Sequence, residues 1–328
     1  MFKLKIIIAK HAGFCSGVKK AVEMAEDTAS RDGEIYVYGQ LVHNERVIEE
    51  LKKKGVEFAD KIEEIPDNAV TVLRAHGEPG TTYEKLKQKG VIGDKLKDAT
   101  CPLVKLVHNI VIKLKNNGYE VIIFGKKNHP EAIGISYYIK GNDTFIVEKP
   151  EDFDLVIGYI NKNNFSKVAI ISQTTMSVNG YNRLIQDINK NFDNKRENQK
   201  KEFSGVHKDK LYEQFKKLEL NLKDLSYPFV FVDTICNPTK QRQADTEEIA
   251  KGADLMIVIG GKNSSNSKEL VAKCEELGIE TYFIQAAEQL KKEWFENKKN
   301  VGVTAGASTP DITINEVVEK IKQITNTK

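Results

Sequence analysis

Cys15, Cys101 and Cys236 lie far apart in the chain, and each opens a segment built to the same plan. The cysteine stands at the end of a strand-like run and is followed by a helical stretch. A strand then ends in glycine, a polar loop follows, and a second helix leads to another strand that ends in a polar residue. Gly39, Gly125 and Gly260 each fall 24 residues after their cysteine, and His43, His129 and Ser264 each fall 28 residues after it. The last strands end at His76, Thr174 and Ser308, which are 61, 73 and 72 residues on, so the register is looser there. Such a repeat constrains the chain to three copies of one strand–helix unit.

The strands are apolar and β-branched. KIIIA, EIYVYG, AVTVLRA, EVIIFG, KVAIIS, FVFVD, DLMIVIGG and NVGVTAG all read as buried parallel strands. VKKAVEMAEDTA, NERVIEELKKKG and KELVAKCEELG read as helices closed by glycine or a turn. Their alternation predicts the α/β class. The expected architecture is three pseudo-threefold-related α/β units with small, mainly parallel sheets, a trefoil around a central site. The units are expected at 15–100, 101–232 and 233–309, with the N-terminal strand 1–14 joined to the third and a C-terminal tail at 310–328. The second unit is longer than its repeat requires. The excess, at about 192–227, is charged and poor in apolar residues, and reads as a peripheral insertion. Within it DKLYEQFKKLELNL can form a surface helix, and His207 reads as a solvated side chain.

Doubly wound sheets bind ligands at the carboxyl ends of their strands. A pseudo-threefold axis would point those ends at a common centre, gathering the three cysteines with the polar loops around them. The plainer alternative is three similar units whose cysteines are small core residues. It leaves the polar loops unexplained.

Composition narrows the chemistry. The formal net charge of +3 gives no argument for a nucleic-acid partner. No apolar run approaches the roughly 20 residues that span a bilayer. The opening MFKLKIIIA reads as a strand, not a signal. A soluble, cytoplasmic protein is expected, in which four cysteines point to metal binding or catalysis rather than disulfides. Three distant cysteines lack the paired spacing and the fourth ligand of structural zinc. A four-iron cluster held by three thiolates keeps one iron open as a Lewis acid. Each cysteine sits at or near a helix start, where the dipole favours a thiolate. Cys274, in LVAKCEELG, has no counterpart in the other units and reads as packing.

The loops QLVHNE, RAHGEPG, KKNHPEAIG, ISQTTMSVNG, GGKNSSNSKE and TAGASTPD supply the polar groups. His43, His76, His129, Ser264, Ser265, Asn266 and Ser308, with exposed backbone N–H groups, can form a diphosphate cradle. No P-loop motif is present. A histidine alone is as readily satisfied in a turn; three in matching loops favour anion binding. His108, on a helix, and His11, before the first cysteine, read as structural. Glu131 at a helix start can simply favour the dipole, or can deliver protons beside a cluster and an anion. Thr174 can relay a proton between Glu131 and a bound substrate.

The segments GFCSGVKKAVE, LVHN, RAHGEPG, DATCPLV, HPEAIG, QTTMSV, DTICNPTKQRQ, KNSSNS and TAGAS occur in order over nearly the whole chain. They resemble the 4-hydroxy-3-methylbut-2-enyl diphosphate reductase family, the terminal enzymes of the non-mevalonate isoprenoid pathway. The resemblance implies one [4Fe–4S] cluster on Cys15, Cys101 and Cys236, whose open apical iron takes the substrate's hydroxyl. It implies a diphosphate held by His43, His76, His129, Ser264, Ser265, Asn266 and Ser308. Glu131 would be the proton source, and Thr174 would assist at the hydroxyl. Two electrons and two protons would remove that hydroxyl as water and give isopentenyl and dimethylallyl diphosphate. An electron donor such as ferredoxin or flavodoxin is implied, and a monomer is expected. The insertion before Cys236 departs from the family pattern.

Two other classes each fit part of the sequence. A non-catalytic iron–sulfur redox sensor would need the cysteines but not the ring of polar groups. A cluster-free phosphate-binding protein would need the ring but not the cysteines. The sequence carries both features, which favours the enzyme.

Overall fold

The computed structural model describes residues 4–196, 200–204 and 228–325. Three sheets are present, and every pairing among the described residues is parallel. The strand β1 (Lys5–Ile8) joins the sheet of the third repeat. The first sheet holds β2 (Ile35–Tyr38), β3 (Val56–Ala59), β4 (Thr71–Leu73) and β5 (Leu96–Asp98), in the order β3-β2-β4-β5. The second holds β6 (Glu120–Phe124), β7 (Ile146–Val147), β8 (Val168–Ser172), β9 (Lys200–Ser204) and β10 (Phe229–Asp233), in the order β7-β6-β8-β10-β9. The third holds β11 (Leu255–Ile259), β12 (Thr281–Ile284) and β13 (Asn300–Ala305), in the order β1-β13-β11-β12. This is the α/β class with three small parallel sheets that the repeat predicts.

The repeat extends to topology. In each sheet the first strand after the cysteine-led helix (β2, β6 or β11) is central. The next strand lies on one side of it, and the one after that (β4, β8 or β13) lies on the other. The direction of winding therefore reverses between β2 and β4, between β6 and β8, and between β11 and β13. Such a reversal leaves a crevice at the carboxyl ends of the two strands. Every loop singled out in the sequence leaves one of these six strands at that end.

Alternation along the central strands makes two-sided cores. In the second sheet Val121, Ile123, Ile171, Val230 and Val232 face Val107, Val111 and Leu114 of the helix Pro102–Asn116. Ile122, Phe124, Ile170, Phe229 and Phe231 face Val156 and Ile160 of one helix and Leu184 and Ile188 of another. In the third sheet Leu255, Ile257 and Ile259 face Ile314, Val317 and Ile321. Those three belong to the helix Asp311–Thr325, so the segment expected as a tail is part of this core. On the opposite face Met256 and Val258 pack on Leu270 and Cys274. Burial on both faces is why these strands read as continuous apolar runs.

The chain divides into two compact units. The first comprises the residues up to Ala75, Val91–Ala99 and those from Asn237 on, with the first and third sheets. The second comprises His76–Gly90 and Thr100–Cys236, with the second sheet. The charged stretch at about 192–227 is not wholly peripheral. Phe192 packs at 5.2 Å on Phe229, and Lys200–Ser204 pair along the whole of β10 as an edge strand. The helix expected over DKLYEQFKKLELNL and the reading of His207 lie outside the described residues. No helix among the described residues is long and apolar enough to cross a membrane.

Candidate functional site

In the first unit Cys15 is the N-cap of the helix Ser16–Asp32, and its Sγ accepts from Val18 N at 3.4 Å. The loop before it is pinned from the helix Asn237–Ala250. His11 N and Nδ1 both meet Asp245 Oδ2, at 2.8 and 2.7 Å, and the buried Arg242 donates to Gly13 O. His11 is thereby structural, as expected. Cys15 N donates to Ala307 O at 3.2 Å, while Ala307 N donates to Asn266 Oδ1 at 3.1 Å. Ser308 Oγ donates to His43 O at 3.1 Å. Cys15, Asn266, Ser308 and His43 are thus joined through two consecutive residues, 307 and 308.

Ser264 caps the helix Ser265–Glu276, accepting from Ser267 N at 3.3 Å and from Ser267 Oγ at 3.0 Å. Ser267 is fully buried between two glycines: a Cβ at Gly260 or Gly306 would stand 2.1 or 2.0 Å from its Oγ. Asn266 Nδ2 donates to Thr239 Oγ1 at 3.2 Å. Ser265 is buried, and its Oγ has no hydrogen-bond partner among the described residues. A buried hydroxyl in that state costs about 1–3 kcal/mol unless a ligand satisfies it.

Gly261 lets the Ser264 loop approach His43. A Cβ there would stand 2.2 Å from His43 O, a backbone atom that cannot swing aside. Gly261→Ala should therefore displace the His43 loop while leaving the sheets intact. The expected outcome is a shift of the His43 ring resonances in the NMR spectrum with an unchanged far-UV circular dichroism spectrum.

In the second unit His129 is the N-cap of the helix Pro130–Tyr137, its Nδ1 accepting from Glu131 N at 3.2 Å. His76 and His129 meet edge to face, with ring centroids 5.5 Å apart. The His76 loop packs closely here: a Cβ at Gly134 would lie 3.6 Å from Gly77 O, and one at Gly80 would lie 2.8 Å from the Tyr137 ring. His108, buried in the helix Pro102–Asn116, lies beneath this contact with its ring 4.9 Å from Tyr138, in the structural role expected.

Glu131 is 2% exposed. Thr174 N donates to its Oε1 at 2.7 Å, and Thr174 Oγ1 bonds its Oε2 at 2.9 Å. Burial pushes the carboxyl up to about 7, against the pull of those two bonds toward the charged form. Cys236 N donates to Thr174 O at 3.0 Å. An acid poised near neutrality, a hydroxyl on it and a cysteine backbone behind that hydroxyl therefore form one connected group. Cys101 caps the helix Pro102–Asn116. No disulfide joins the four cysteines; Cys15, Cys101 and Cys236 are half-buried, and Cys274 is fully buried. Burial pushes the Cys274 thiol up to about 11, so it stays protonated.

The residues that hold these groups, Gly261, Ser267, Thr239 and Ala307, were not singled out from the sequence. The quoted loops and motifs together contain all four, but only packing assigns their task.

The family model of the LytB protein matches residues 6–322. The 4-hydroxy-3-methylbut-2-enyl diphosphate reductase of Aquifex aeolicus is 37% identical over 322 residues, 97% of this chain and 96% of its own length. That of Campylobacter hominis is 38% identical over 319 residues, 97% of this chain and 98% of its own. The solved structure of the E-1-hydroxy-2-methyl-but-2-enyl-4-diphosphate reductase from Plasmodium falciparum gives a TM-score of 0.79 at 27% identity, covering 98% of this chain and 89% of that one. A second solved reductase, described as the terminal enzyme of the non-mevalonate pathway, gives 0.59 at 35% identity, covering 98% and 99%. With a fold, a full-length motif order and relatives that agree, the chain belongs to the LytB family of 4-hydroxy-3-methylbut-2-enyl diphosphate reductases.

Proposed function

We propose that this chain removes the hydroxyl of 4-hydroxy-3-methylbut-2-enyl diphosphate as water, consuming two electrons and two protons. The C–O bond breaks, a C–H bond forms at either end of the allylic unit, and isopentenyl and dimethylallyl diphosphate result. The group Glu131–Thr174–Cys236 carries this reading, because it sets a carboxyl group that titrates near neutrality beside a cysteine at a strand end.

In this reading Cys15, Cys101 and Cys236 hold one [4Fe–4S] cluster. The donor set fits: three thiols outside any disulfide, none fully buried, each at a helix start, and all of the soft sulfur type that iron–sulfur clusters take. When bound, such a cluster supplies single electrons and an open Lewis-acidic iron. Electrons come from a carrier such as ferredoxin or flavodoxin. The expected boundaries 15–100, 101–232 and 233–309, with 1–14 joined to the last, belong to the same proposal.

The protein's own groups do the rest. Glu131 holds the proton for the leaving oxygen, and Thr174 Oγ1 passes it on. His43, Ser264, Ser265, Asn266 and Ser308 of the first unit, with His76 and His129 of the second, bind the diphosphate. The buried Ser265 hydroxyl supports this, since an oxyanion would meet its missing bond. Binding through the diphosphate orients the reacting carbon without touching it.

Anaerobic purification followed by turnover tests the reading. The expected result is a brown protein with about four irons per chain, which converts the substrate to both products under a low-potential reductant. Reconstituted protein that stays free of iron overturns it. So does iron-loaded protein that binds the substrate and releases neither product.

A further inference from the structure

The carboxyl ends of β2, β3 and β4, with the loop after β11, border an open cavity of about 380 Å³, lined by Tyr38, Gly39, Gln40, His43, Asp60, Arg74 and Asn263. All of these residues belong to the first unit. The cavity stands at the reversal between β2 and β4, where doubly wound sheets take their ligands. Its size falls within the range of small-molecule sites.

Arg74 is built into this wall. Gly39 adopts a left-handed φ of 68°, which favours glycine, and the guanidinium packs directly against it, with Nη1 2.8 Å from where a Cβ would stand. The Tyr38 ring faces Arg74 Cζ at 5.7 Å. His43, whose Nδ1 lies 3.2 Å from Gln40 Oε1, shares the wall. Burial first, and then the positive charges of Arg74 and Lys268, push His43 down to about 4. His43 is therefore neutral at pH 7 and offers hydrogen bonding without charge. The serines and asparagine proposed for the diphosphate are neutral too. Asp60 is exposed, where solvent screens its carboxylate.

We propose that this cavity recognises a small, multiply charged oxyanion of the diphosphate or phosphate type, and that Arg74 is its cationic contact. The inference rests on the reading above for the reaction, and adds a cation to the first unit's His43, serines and asparagine, which are neutral. A guanidinium suits the task because its planar fork meets two oxygens of one phosphate group at once.

Arg74→Met and Arg74→Lys test it in the iron-loaded protein. Inorganic diphosphate, titrated by calorimetry, should bind about 10–100-fold more weakly to R74M. R74K, which keeps the charge but loses the fork, should show a smaller loss. The NMR titration midpoint of the His43 ring should rise in R74M and stay near the wild-type value in R74K, which keeps the positive charge, whereas a loosened loop that lets water reach the ring would raise it in both. The source of the anion follows from kinetics. A raised KM for 4-hydroxy-3-methylbut-2-enyl diphosphate at unchanged kcat places the substrate's own diphosphate in the cavity. Weaker inorganic diphosphate binding at unchanged KM assigns the cavity to a free anion. If R74M fails to fold, the Arg74 Nε–H resonance of the wild-type protein decides: it should shift on addition of inorganic diphosphate, and no shift overturns the proposal. Wild-type diphosphate affinity in folded R74M also overturns it. Wild-type protein that makes no isoprenoid product but binds diphosphate through Arg74 would overturn the reaction and leave this site standing.

Discussion

Glu131→Gln should lower kcat by about 10²–10⁴-fold, the range that a positioned general acid supplies, while substrate binding and fold persist. The substitution is mild in shape. The amide oxygen of the variant can still accept from Thr174 N, and its NH₂ can donate to Thr174 Oγ1, so both bonds of the wild-type pair have a counterpart. Only the proton is lost. The pH profile should carry the same signature. With its carboxyl at about 7, wild-type turnover should fall as pH rises through that value and the acid form disappears. The variant should show no such limb. Stability should change with the same sign. The folded value lies above the usual 4.5, so the folded protein holds this proton more tightly than the unfolded chain does. The stabilising share is complete below about 4.5 and is lost as pH rises through about 7, on the order of 3 kcal/mol in all. Denaturant midpoints measured at pH 5 and pH 8 should therefore differ more in the wild type than in the variant. Unimpaired turnover in the variant would remove Glu131 from the chemistry.

Cys15→Ser should strip the protein of iron, from about four atoms per chain to under about one, and abolish turnover. The fold gives this test its force. Cys15 Sγ caps a helix of 17 residues through Val18 N, and serine is among the best residues at that position. The variant should melt no earlier than wild-type protein freed of iron, so metal loss could not be blamed on a weakened helix. Cys101→Ser, also at a helix cap, and Cys236→Ser should behave alike. Cys274→Ala should keep its iron. That thiol is enclosed by Met256, Val258 and Leu270 and held protonated, whereas a ligand must be a thiolate. Retention of iron in the Cys15 variant, or its loss in the Cys274 variant, would contradict the ligand assignment.

Much of the architecture was legible because its signal is local. The strand runs read from the sequence all form strands, most of them close to the expected span, because strands buried on two faces must be apolar throughout and because β1 and β2, which are only partly buried, still carry β-branched and aromatic residues. The edge strands β3, β5, β7 and β12 escaped. VEFA, LKD, IV and TYFI are short, and several of their residues stay partly exposed, so no apolar period rises above the neighbouring loops. β9 escaped for a sharper reason. KKEFS is nearly all polar, and it is a strand because β10 offers it an unpaired edge, which is a tertiary circumstance.

By itself the sequence determined the threefold repeat, the strand-end position of each cysteine and polar loop, and the family. Each of these depends on spacing and residue type, which are written along the chain. Only the tertiary structure decided what those residues are chemically. Glu131 is an acid near neutrality because packing removes water from it and brings Thr174, 43 residues away, onto its carboxyl. His43 is neutral, and Arg74 shares its cavity, because β2 and β4 lie side by side. Desolvation and field are set by what covers a group in space, and the order of residues along the chain does not record that.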